Sequence, residues 1–322
     1  MKIKANTWSK LGQNATFGGV ALMEVISHNP DLKFITADVS TLLGLKRFKT
    51  LYPDNYIDVG IAEQNMVTVA AGLALEGNQV FASTYASFLV MRALEQIRHN
   101  LGYLQCDVKL VGMSAGVCTG KSGISHWSTE DIALTRAIPN MVVMSPADCG
   151  EVVKMTVAAS QIKQPVYIRL TGNLNIPVIY EEDYDFQIGK AITLKEGNDI
   201  VIIATGLMVK ESLDAAEILE KNGISAMVIN MHTIKPLDTD LLETIYPNYK
   251  LIVTVEEHSI VGGLGGAVAE HKAKYVNAPK QMFLGITDEY LETGSRNFVM
   301  EQYGLTGVTI ADRIESEFKN NK

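Results

Sequence analysis

The sequence predicts an α/β protein built from two doubly wound domains. Short β-branched runs alternate with longer amphipathic stretches along most of the chain, a pattern typical of parallel sheets covered by helices. The 322 residues also correspond to two domains at roughly 150 residues each. A segment with Pro177 and the acidic group 181–183 interrupts the alternation. We therefore expect one domain at residues 1–172, a linker at 173–195 and a second domain at 196–322.

The first predicted domain alternates six strands with five helices. The strands are expected at residues 34–36, 56–58, 80–82, 108–111, 141–144 and 166–168. The helices are expected at residues 16–27, 62–75, 87–101, 129–137 and 147–161. Helix 62–75 is almost wholly apolar after its first turn, and we expect it to be buried for that reason.

The second predicted domain repeats the alternation with four strands and three helices. The strands are expected at residues 200–204, 226–229, 251–255 and 281–284, and the helices at 209–221, 265–273 and 310–319. No short-period repeat and no low-complexity tract interrupts this part of the sequence.

Composition narrows the possible partners. The net charge is −8 and no long basic stretch offsets it, so nucleic acid and anionic membranes are not expected to bind. The apolar runs are too short to span a bilayer, and the N-terminus lacks the apolar core of a secretion signal. The three cysteines are widely separated and no HxxxH pair is present. We expect a cytoplasmic, metal-poor enzyme or binding protein.

The first candidate for chemistry is Glu63, where a predicted strand ends near Asp58 and an apolar helix begins. A carboxyl at the start of a buried helix is partly desolvated, which raises its pKa and suits it to share a proton. An acid in a first helical turn also complements the helix dipole without any catalytic role. Taken alone, Glu63 fits the structural explanation better.

Phe88 follows another predicted strand, at residues 80–82. Ligands of open α/β sheets gather at the carboxyl ends of strands, where an aromatic ring can stack on a flat heterocycle. On its own, Phe88 is better explained as an ordinary core phenylalanine.

The loop 112–126 holds four glycines and ends at His126. Glycine allows the backbone to approach a ligand closely, and imidazole can move protons near pH 7. Gly120-Lys121-Ser122 resembles the end of a P-loop, but the glycine that the motif requires is replaced by Ala115. A loop histidine whose hydrogen bonds are satisfied locally is the alternative explanation for His126.

A second glycine-rich segment, 261–266, follows the strand at 251–255. It resembles a dinucleotide-binding fingerprint, but its glycines come too late for a tight strand-to-helix turn. We interpret it as a closely packed helix start rather than an NAD site.

Together, these segments resemble the transketolase family of thiamine diphosphate enzymes, which includes 1-deoxyxylulose-5-phosphate synthase. The resemblance spans nearly the whole chain in the family's order. Its motifs are DVGIAEQ at 58–64, ASFL at 86–89, GISH at 123–126, IPNMVVMSPAD at 138–148, KPLD at 235–238 and VEEHSIVGGLGG at 255–266. The resemblance implies a pyrimidine-binding domain followed by a transketolase C-terminal domain.

The resemblance also implies site residues. Glu63 matches the glutamate that hydrogen-bonds N1′ of the cofactor's aminopyrimidine, and Phe88 matches the ring stacked on it. His126 matches the histidine that contacts the donor's oxygen and helps to move protons. Further expected cofactor contacts are Ile61, Gln64 and Arg92, and expected substrate contacts are Asp38, Arg47, Ser114, Lys121 and Ser122.

Family members bind the diphosphate through Mg²⁺ on a separate domain that carries Gly-Asp-Gly, a motif that this sequence lacks. The resemblance therefore implies a partner subunit, similar to the N-terminal part of a transketolase, that carries the diphosphate and metal site. No metal ligand is expected in this chain. We expect an α2β2 heterotetramer, or a homodimer of the isolated chain.

The sequence departs from the sugar-phosphate transketolases at the substrate side. Ser114 and Ser122 replace a histidine and an aspartate, and Thr171 stands where an arginine usually grips the substrate phosphate. We expect transfer of a two-carbon ketol unit from a ketose to an aldehyde, with a sugar or sugar phosphate as substrate. Two alternatives remain open: a decarboxylating synthase similar to 1-deoxyxylulose-5-phosphate synthase, and a non-catalytic regulatory subunit.

Overall fold

The first sheet is a seven-stranded sheet that carries the expected parallel core. The computed structural model describes residues 4–172 and 175–320. The strand order is β10-β5-β6-β4-β3-β1-β2, and only β10 is antiparallel to its neighbour. Its strands are β1 (Lys33–Thr36), β2 (Tyr56–Asp58), β3 (Val80–Tyr85), β4 (Val108–Met113), β5 (Val142–Met144), β6 (Val166–Arg169) and β10 (Thr233–Lys235).

The second sheet has five strands in the order β12-β11-β8-β9-β7, with β7 antiparallel at one edge. Its strands are β7 (Ile192–Lys195), β8 (Ile200–Ala204), β9 (Ala226–Asn230), β11 (Leu251–Ser259) and β12 (Lys280–Ile286). The central strand β8 is buried along its whole length, as expected where helices cover both faces of a parallel sheet.

Helices cover both sheets. Those that precede β7 are α1 (Ala5–Trp8), α2 (Gly12–Thr16), α3 (Leu22–His28), α4 (Lys46–Leu51), α5 (Glu63–Leu75), α6 (Leu94–Gln96), α7 (Asp131–Ala137) and α8 (Cys149–Gln161). Those that follow are α9 (Met208–Lys221), α10 (Thr239–Ile245), α11 (Leu264–Lys272), α12 (Arg296–Gln302) and α13 (Gly307–Asn320). Three π-helical stretches are Phe17–Ala21, Phe88–Arg92 and Ile97–Tyr103, and two 3₁₀ turns are Pro53–Asn55 and Gly120–Ser122.

The prediction of two α/β sheets is confirmed, and every predicted strand and helix has a counterpart. The predicted helix at 87–101 is wrong in detail, because π-helical turns on both sides of α6 replace most of the regular α-helix. Two strands were not predicted. β7 lies inside the predicted linker, and β10 crosses from the second predicted domain to pair with β5 of the first sheet. The exact domain boundaries stay a prediction.

The expectation that α5 is buried is wrong for half of its surface. Met66, Val67 and Ala70 face the core, whereas Thr68 and Leu75 are exposed. Apolar composition indicated burial, but the chain itself supplies neighbours for only one side of this helix. An exposed apolar helix face indicates an interaction surface.

A buried polar cluster joins the two sheets. Glu151 on α8 accepts a hydrogen bond from Asn230 on β9 (2.9 Å), and Asn230 also donates to the hydroxyl of Tyr180 (2.8 Å). Complete burial raises the pKa of Glu151 to about 8, which favours the neutral carboxyl in this cluster.

The described helices include none that is long and apolar enough to cross a bilayer.

Candidate active site

Three parallel strands of the first sheet, β2, β3 and β4, have their carboxyl ends at the same edge. The segments that follow β2, β3 and β4 carry Glu63, Phe88 and His126 respectively. The loops that follow parallel strands all lie at the same side of the sheet. Residues that are far apart in sequence therefore come together at that side.

Glu63 is the first residue of α5, and only 2% of its side chain is exposed. Its Oε2 accepts a hydrogen bond from Nη1 of Arg92 at 2.7 Å. Arg92 is held in turn by Gln64, whose Nε2 donates to the Arg92 carbonyl oxygen at 3.2 Å. Within the described part of the chain, no donor reaches the second carboxylate oxygen, Oε1, which is left for a ligand.

Aromatic rings surround the position that Glu63 faces. The rings of Phe88 and His126 have centroids 5.2 Å apart, and Tyr85 lies 5.5 Å from His126 and 5.6 Å from Phe88. The guanidinium carbon of Arg92 lies 4.6 Å from the centre of the Phe88 ring. Arg92 therefore connects the carboxylate to the aromatic cluster. Phe88 is half-buried in this cluster and is not an ordinary core phenylalanine.

His126 is half-buried, and its Nδ1 contacts the hydroxyl of Ser125 at 2.9 Å. This local contact orients the ring, while the described residues provide no hydrogen-bond partner for Nε2. One nitrogen is thus fixed and the other is available. That arrangement suits a histidine that binds or protonates a ligand oxygen.

Asp58 organises the backbone at the base of this edge. Its Oδ1 accepts hydrogen bonds from the backbone N–H groups of Asp38 and Gly60, each at 3.0 Å. Asp38 has a φ of +58°, so its backbone is in the left-handed region that non-glycine residues rarely adopt. Ile61 is 76% exposed directly before α5. The structure therefore places Asp38 and Ile61 near the start of α5.

The residues predicted to contact substrate divide into three groups. Lys121 and Ser122 are exposed on the 3₁₀ turn that precedes His126. Ser114 is buried, and its hydroxyl accepts a hydrogen bond from Nδ2 of Asn14 at 3.0 Å. Arg47 lies on α4 and lines a separate surface cavity together with Trp8. Lys121 and Ser122 are thus near His126 through the chain itself, whereas Arg47 lies at a different surface.

The side chains of Thr171 and Cys118 both interact with other residues of the fold. The backbone N–H and the hydroxyl of Thr171 donate to Oε1 of Gln13, at 2.7 and 2.8 Å. Burial, with the charge of Glu257 nearby, raises the pKa of Cys118 to about 12. Neither residue provides a phosphate ligand or a reactive thiolate.

Sequence reasoning missed the buried support behind the loop. Nε of Arg169 donates to Oδ2 of Asp131 at 2.9 Å, and the hydroxyl of Tyr167 donates to the same oxygen at 2.6 Å. Burial, then the Asp131 charge, raises the pKa of Tyr167 well above its ordinary value. The alternation of side chains along β6 places Tyr167 and Arg169 on one face, but it does not indicate what they contact.

The second glycine-rich segment is a closed helix start, as predicted. Both carboxylate oxygens of Glu256 accept backbone N–H groups of α11, from Leu264 at 2.7 Å and from Gly265 at 2.8 Å. A Cβ at Gly263 would lie 1.9 Å from Oε2 of Glu256. This helix N-terminus is occupied by the protein's own carboxylate, which leaves no room for a dinucleotide phosphate.

Two family models match the chain. "Transketolase, pyrimidine binding domain" matches residues 14–175, and "Transketolase, C-terminal domain" matches residues 189–310. The chain belongs to the transketolase family. It is therefore a transketolase-like enzyme subunit of the transferase class, and the chemistry of its family depends on thiamine diphosphate.

Relatives of similar length support this assignment. A Methanocaldococcus jannaschii protein, provisionally named a transketolase C-terminal section, is 42% identical over 94% of this chain and 95% of its own length. An apulose-4-phosphate transketolase subunit from Phocaeicola vulgatus is 37% identical over 88% of this chain and 90% of its own length. By contrast, the chain spans only about half the length of the 1-deoxy-D-xylulose-5-phosphate synthases that it matches, for example 47% of the Synechococcus enzyme.

A solved structure shows the same arrangement. A split-gene transketolase, described as an inactive β4 tetramer, superposes with a TM-score of 0.86 at 36% identity, covering 96% of this chain and 98% of its own. Its length and fold match those of the chain described above.

Proposed function

We propose that the chain is the C-terminal subunit of a two-subunit, thiamine diphosphate-dependent transketolase. The enzyme moves a two-carbon ketol unit from a ketose donor to an aldehyde acceptor. The convergence of Glu63, Phe88 and His126 at one sheet edge is the observation that carries this proposal. Each residue comes from a different strand end, and each has the chemistry that the family's pyrimidine site requires.

The pyrimidine end of the cofactor fits this edge. Glu63 is buried and presents one carboxylate oxygen without a protein donor among the described residues, and Arg92 links it to the ring of Phe88. Ile61, Gln64 and Arg92 complete the cofactor contacts that we propose. When bound, thiamine diphosphate would supply a nucleophilic thiazolium carbon, and the thiazolium ring would act as an electron sink.

The residues of this chain then bind the cofactor, orient the substrate and move a proton. Glu63 would hydrogen-bond the pyrimidine nitrogen through its second carboxylate oxygen, and its burial keeps water from competing for that hydrogen bond. Nε2 of His126 donates to, or accepts a proton from, the substrate oxygen, while Ser125 fixes the ring. Lys121 and Ser122, on the turn before His126, contact the polar end of the substrate. Asp38 borders the same edge, whereas the position of Arg47 weakens its assignment to the site.

We propose that a partner resembling the N-terminal half of a transketolase supplies the Mg²⁺ and diphosphate site. Among the residues that the structure describes, no cluster of His, Cys, Asp or Glu could hold a metal ion. Apolar side chains at and beside α5 are also exposed: Ile61 by 76%, Leu75 by 67%, Met91 by 53% and Tyr103 by 75%. Such a patch is typical of a subunit interface.

The assembly that we propose is an α2β2 heterotetramer. The P. vulgatus relative is named as one subunit of a transketolase, and the similar solved chain, without a partner of another kind in its description, is an inactive tetramer. The cysteines are unpaired, which supports a reducing, cytoplasmic location for this enzyme.

For the substrate, we propose a sugar or sugar phosphate that is bound differently from the usual pentose phosphates. Thr171 is committed to Gln13, and Ser114 is buried against Asn14. Lys121 is the cation nearest to His126 in sequence and is exposed. A lysine binds phosphate as a point charge without the two-pronged geometry of arginine, which permits a different substrate orientation.

The test is reconstitution with the N-terminal subunit and a panel of ketose donors and aldehyde acceptors. Glu63→Ala should lower turnover by about 10³-fold or more, since a positioned acid–base group contributes roughly 10²–10⁴-fold. Glu217→Ala, on the exposed face of α9 in the second domain, is the control and should leave turnover unchanged. Full turnover in Glu63→Ala would contradict the catalytic assignment and favour a regulatory subunit.

A decarboxylating synthase is the second candidate, because the chain is 39% identical to a 1-deoxy-D-xylulose-5-phosphate synthase over 94% of its length. The same reconstituted complex distinguishes the two reactions. Release of carbon dioxide from pyruvate, without ketol transfer from a ketose, would favour the synthase.

A further inference from the structure

Strand β11 carries two adjacent buried glutamates that face opposite sides of the second sheet. Glu256 stays within its own domain and binds the start of α11. Glu257 reaches across to the loop that follows β4 of the first sheet, where its Oε1 accepts the backbone N–H of Val117 at 2.9 Å. Its Oε2 pairs with Nη2 of Arg296 at 2.5 Å. The Glu257 side chain is 2% exposed and that of Arg296 is 15% exposed.

The two ends of the loop that Glu257 contacts are joined by hydrogen bonds. The backbone groups of Gly116 and Ser128 exchange two hydrogen bonds, of 2.9 and 3.0 Å. Nη2 of Arg169 donates to the carbonyl oxygens of both Ser128 (3.2 Å) and Glu257 (2.8 Å). Arg169 thus ties the loop neck to the same strand that carries the glutamate.

The glycines of the loop lie where the second domain touches it. A Cβ at Gly116 would meet Oε1 of Glu257 at 2.5 Å. A Cβ at Gly120 would lie 2.7 Å from the carbonyl oxygen of Gly294, and one at Gly123 would lie 2.9 Å from Cγ2 of Thr293. These three loop glycines also have positive φ angles, of +67°, +43° and +68°. They permit contact between domains, in addition to any role next to a ligand.

We propose that Glu257 and Arg296 are a positioning pair, through which the second domain holds the loop 114–128 in the conformation that presents Lys121 and His126 at the sheet edge. Glu257 binds the loop backbone, and Arg296 supplies the countercharge that a buried carboxylate requires. The second domain is thereby part of the active-site support. The positioning stands on these contacts alone, while its effect on turnover rests on the proposed function.

Hydrogen exchange of the full chain, measured by mass spectrometry, tests the positioning without any assay of activity. In Glu257→Gln, amides of residues 114–128 should exchange about tenfold faster, because a charge-assisted hydrogen bond is replaced by a weaker one. Amides of β8 and β9 should be unchanged. Unchanged exchange in the loop, or equal acceleration throughout the second domain, would overturn the proposal.

Glu270→Gln is the matched control. Glu270 on α11 forms an ion pair with Arg136 of the first domain, so it also joins the two domains but does not contact the loop. Its replacement should leave loop exchange unchanged. If Glu257→Gln does not fold, Arg296→Lys and Arg296→Gln replace it: lysine should preserve the loop's protection and glutamine should lose it, whereas equal behaviour of the two would contradict the charge-based role of Arg296.

In the reconstituted enzyme, Glu257→Gln should lower kcat about tenfold or more and leave the half-saturating thiamine diphosphate concentration unchanged, since the pyrimidine contacts are elsewhere. An equal loss of cofactor affinity would indicate general disruption and would contradict a positioning role. If the wild-type complex shows no transferase activity, the proposed function fails, and the exchange measurement still decides the positioning.

Discussion

The two glycine-rich segments that follow parallel strands, 112–126 and 261–266, look alike in sequence and differ in what fills them. At 261–266, the carboxylate of Glu256 occupies the backbone N–H groups of α11, and the segment is closed. At 112–126, Glu257 binds the loop backbone at Val117, while Lys121 is exposed and His126 is half-buried. A glycine-rich loop therefore indicates that another group comes close to its backbone. Whether the loop is a ligand-binding site depends on whether that group is a ligand or a side chain of the protein itself.

The closed segment should be the less tolerant of the two. Gly263→Ala would place a Cβ 1.9 Å from the carboxylate of Glu256, and removing that overlap requires the buried carboxylate or the helix start to move. We expect a loss of roughly 3–5 kcal/mol in the free energy of unfolding, the range of severe core substitutions. Chemical denaturation of the purified chain measures it. A variant as stable as the wild type would show that the segment is not closed.

The open loop should show the opposite behaviour. His126→Asn should lower the unfolding midpoint only slightly, because the ring is half-buried and the substitution removes only its contacts with Ser125, Tyr85 and Phe88. Turnover of the reconstituted enzyme should fall about 100-fold, as expected for loss of a proton-transferring group. Parallel thermal melts and steady-state kinetics separate the two effects, and a variant that is unstable as well as inactive would contradict the comparison.

The closed segment should also make the stability of the protein depend on pH. Complete burial raises the pKa of Glu256 to about 7, although two backbone amides oppose the shift. The folded protein binds this proton more tightly than the unfolded chain. The protonated Glu256 therefore stabilises the fold at pH 4.5, and this stabilisation is lost as the pH rises through 7. The loss is on the order of 3 kcal/mol.

Unfolding measured across this pH range, in wild type and in Glu256→Gln, isolates that contribution. The difference in stability between the two proteins should change with pH mainly between 4.5 and 7, in favour of the variant at higher pH. Glu151 also titrates in the wild type and in the variant, and its contribution cancels in the difference. A difference that is independent of pH would show that Glu256 keeps its ordinary protonation.

The smallest expected effect concerns Lys121. Lys121→Met should raise the KM for a phosphorylated substrate about three- to tenfold and leave kcat, stability and the KM for an unphosphorylated analogue unchanged, since an exposed charge contributes about 1 kcal/mol or less. Lys49→Met, on the exposed face of α4, is a matched control that should change none of these quantities. Equal effects on both substrates would remove Lys121 from the phosphate subsite.

The comparison also shows what sequence could predict. Strand β8 is predicted because it is a continuous apolar run, and the parallel order of the first sheet places Glu63, Phe88 and His126 at one edge. β7 and β10 were missed, since a short edge strand and a strand that crosses between sheets depend on tertiary pairing. The apolar pattern of α5 was interpreted as burial because a sequence does not distinguish the protein's own core from the surface for a partner.

The support of the site was beyond the reach of sequence patterns. Glu257 lies 140 positions from its partner Val117 in the chain, and the motif VEE does not indicate which of the two glutamates leaves its domain. Tyr85 was also missed, although it lies three residues before Phe88 at the end of β3. The residues that a loop carries could be predicted, whereas the residues that hold the loop could not.

The most direct test of the central claim is calorimetric titration of thiamine diphosphate with Mg²⁺ into this chain alone, and then into this chain mixed with the N-terminal transketolase subunit from the same source. We expect binding only in the mixture. When the mixture contains Glu63→Ala, we expect the binding signal to be lost or the affinity to fall by a large factor. Tight binding to the isolated chain would contradict a cofactor site that is shared between two subunits.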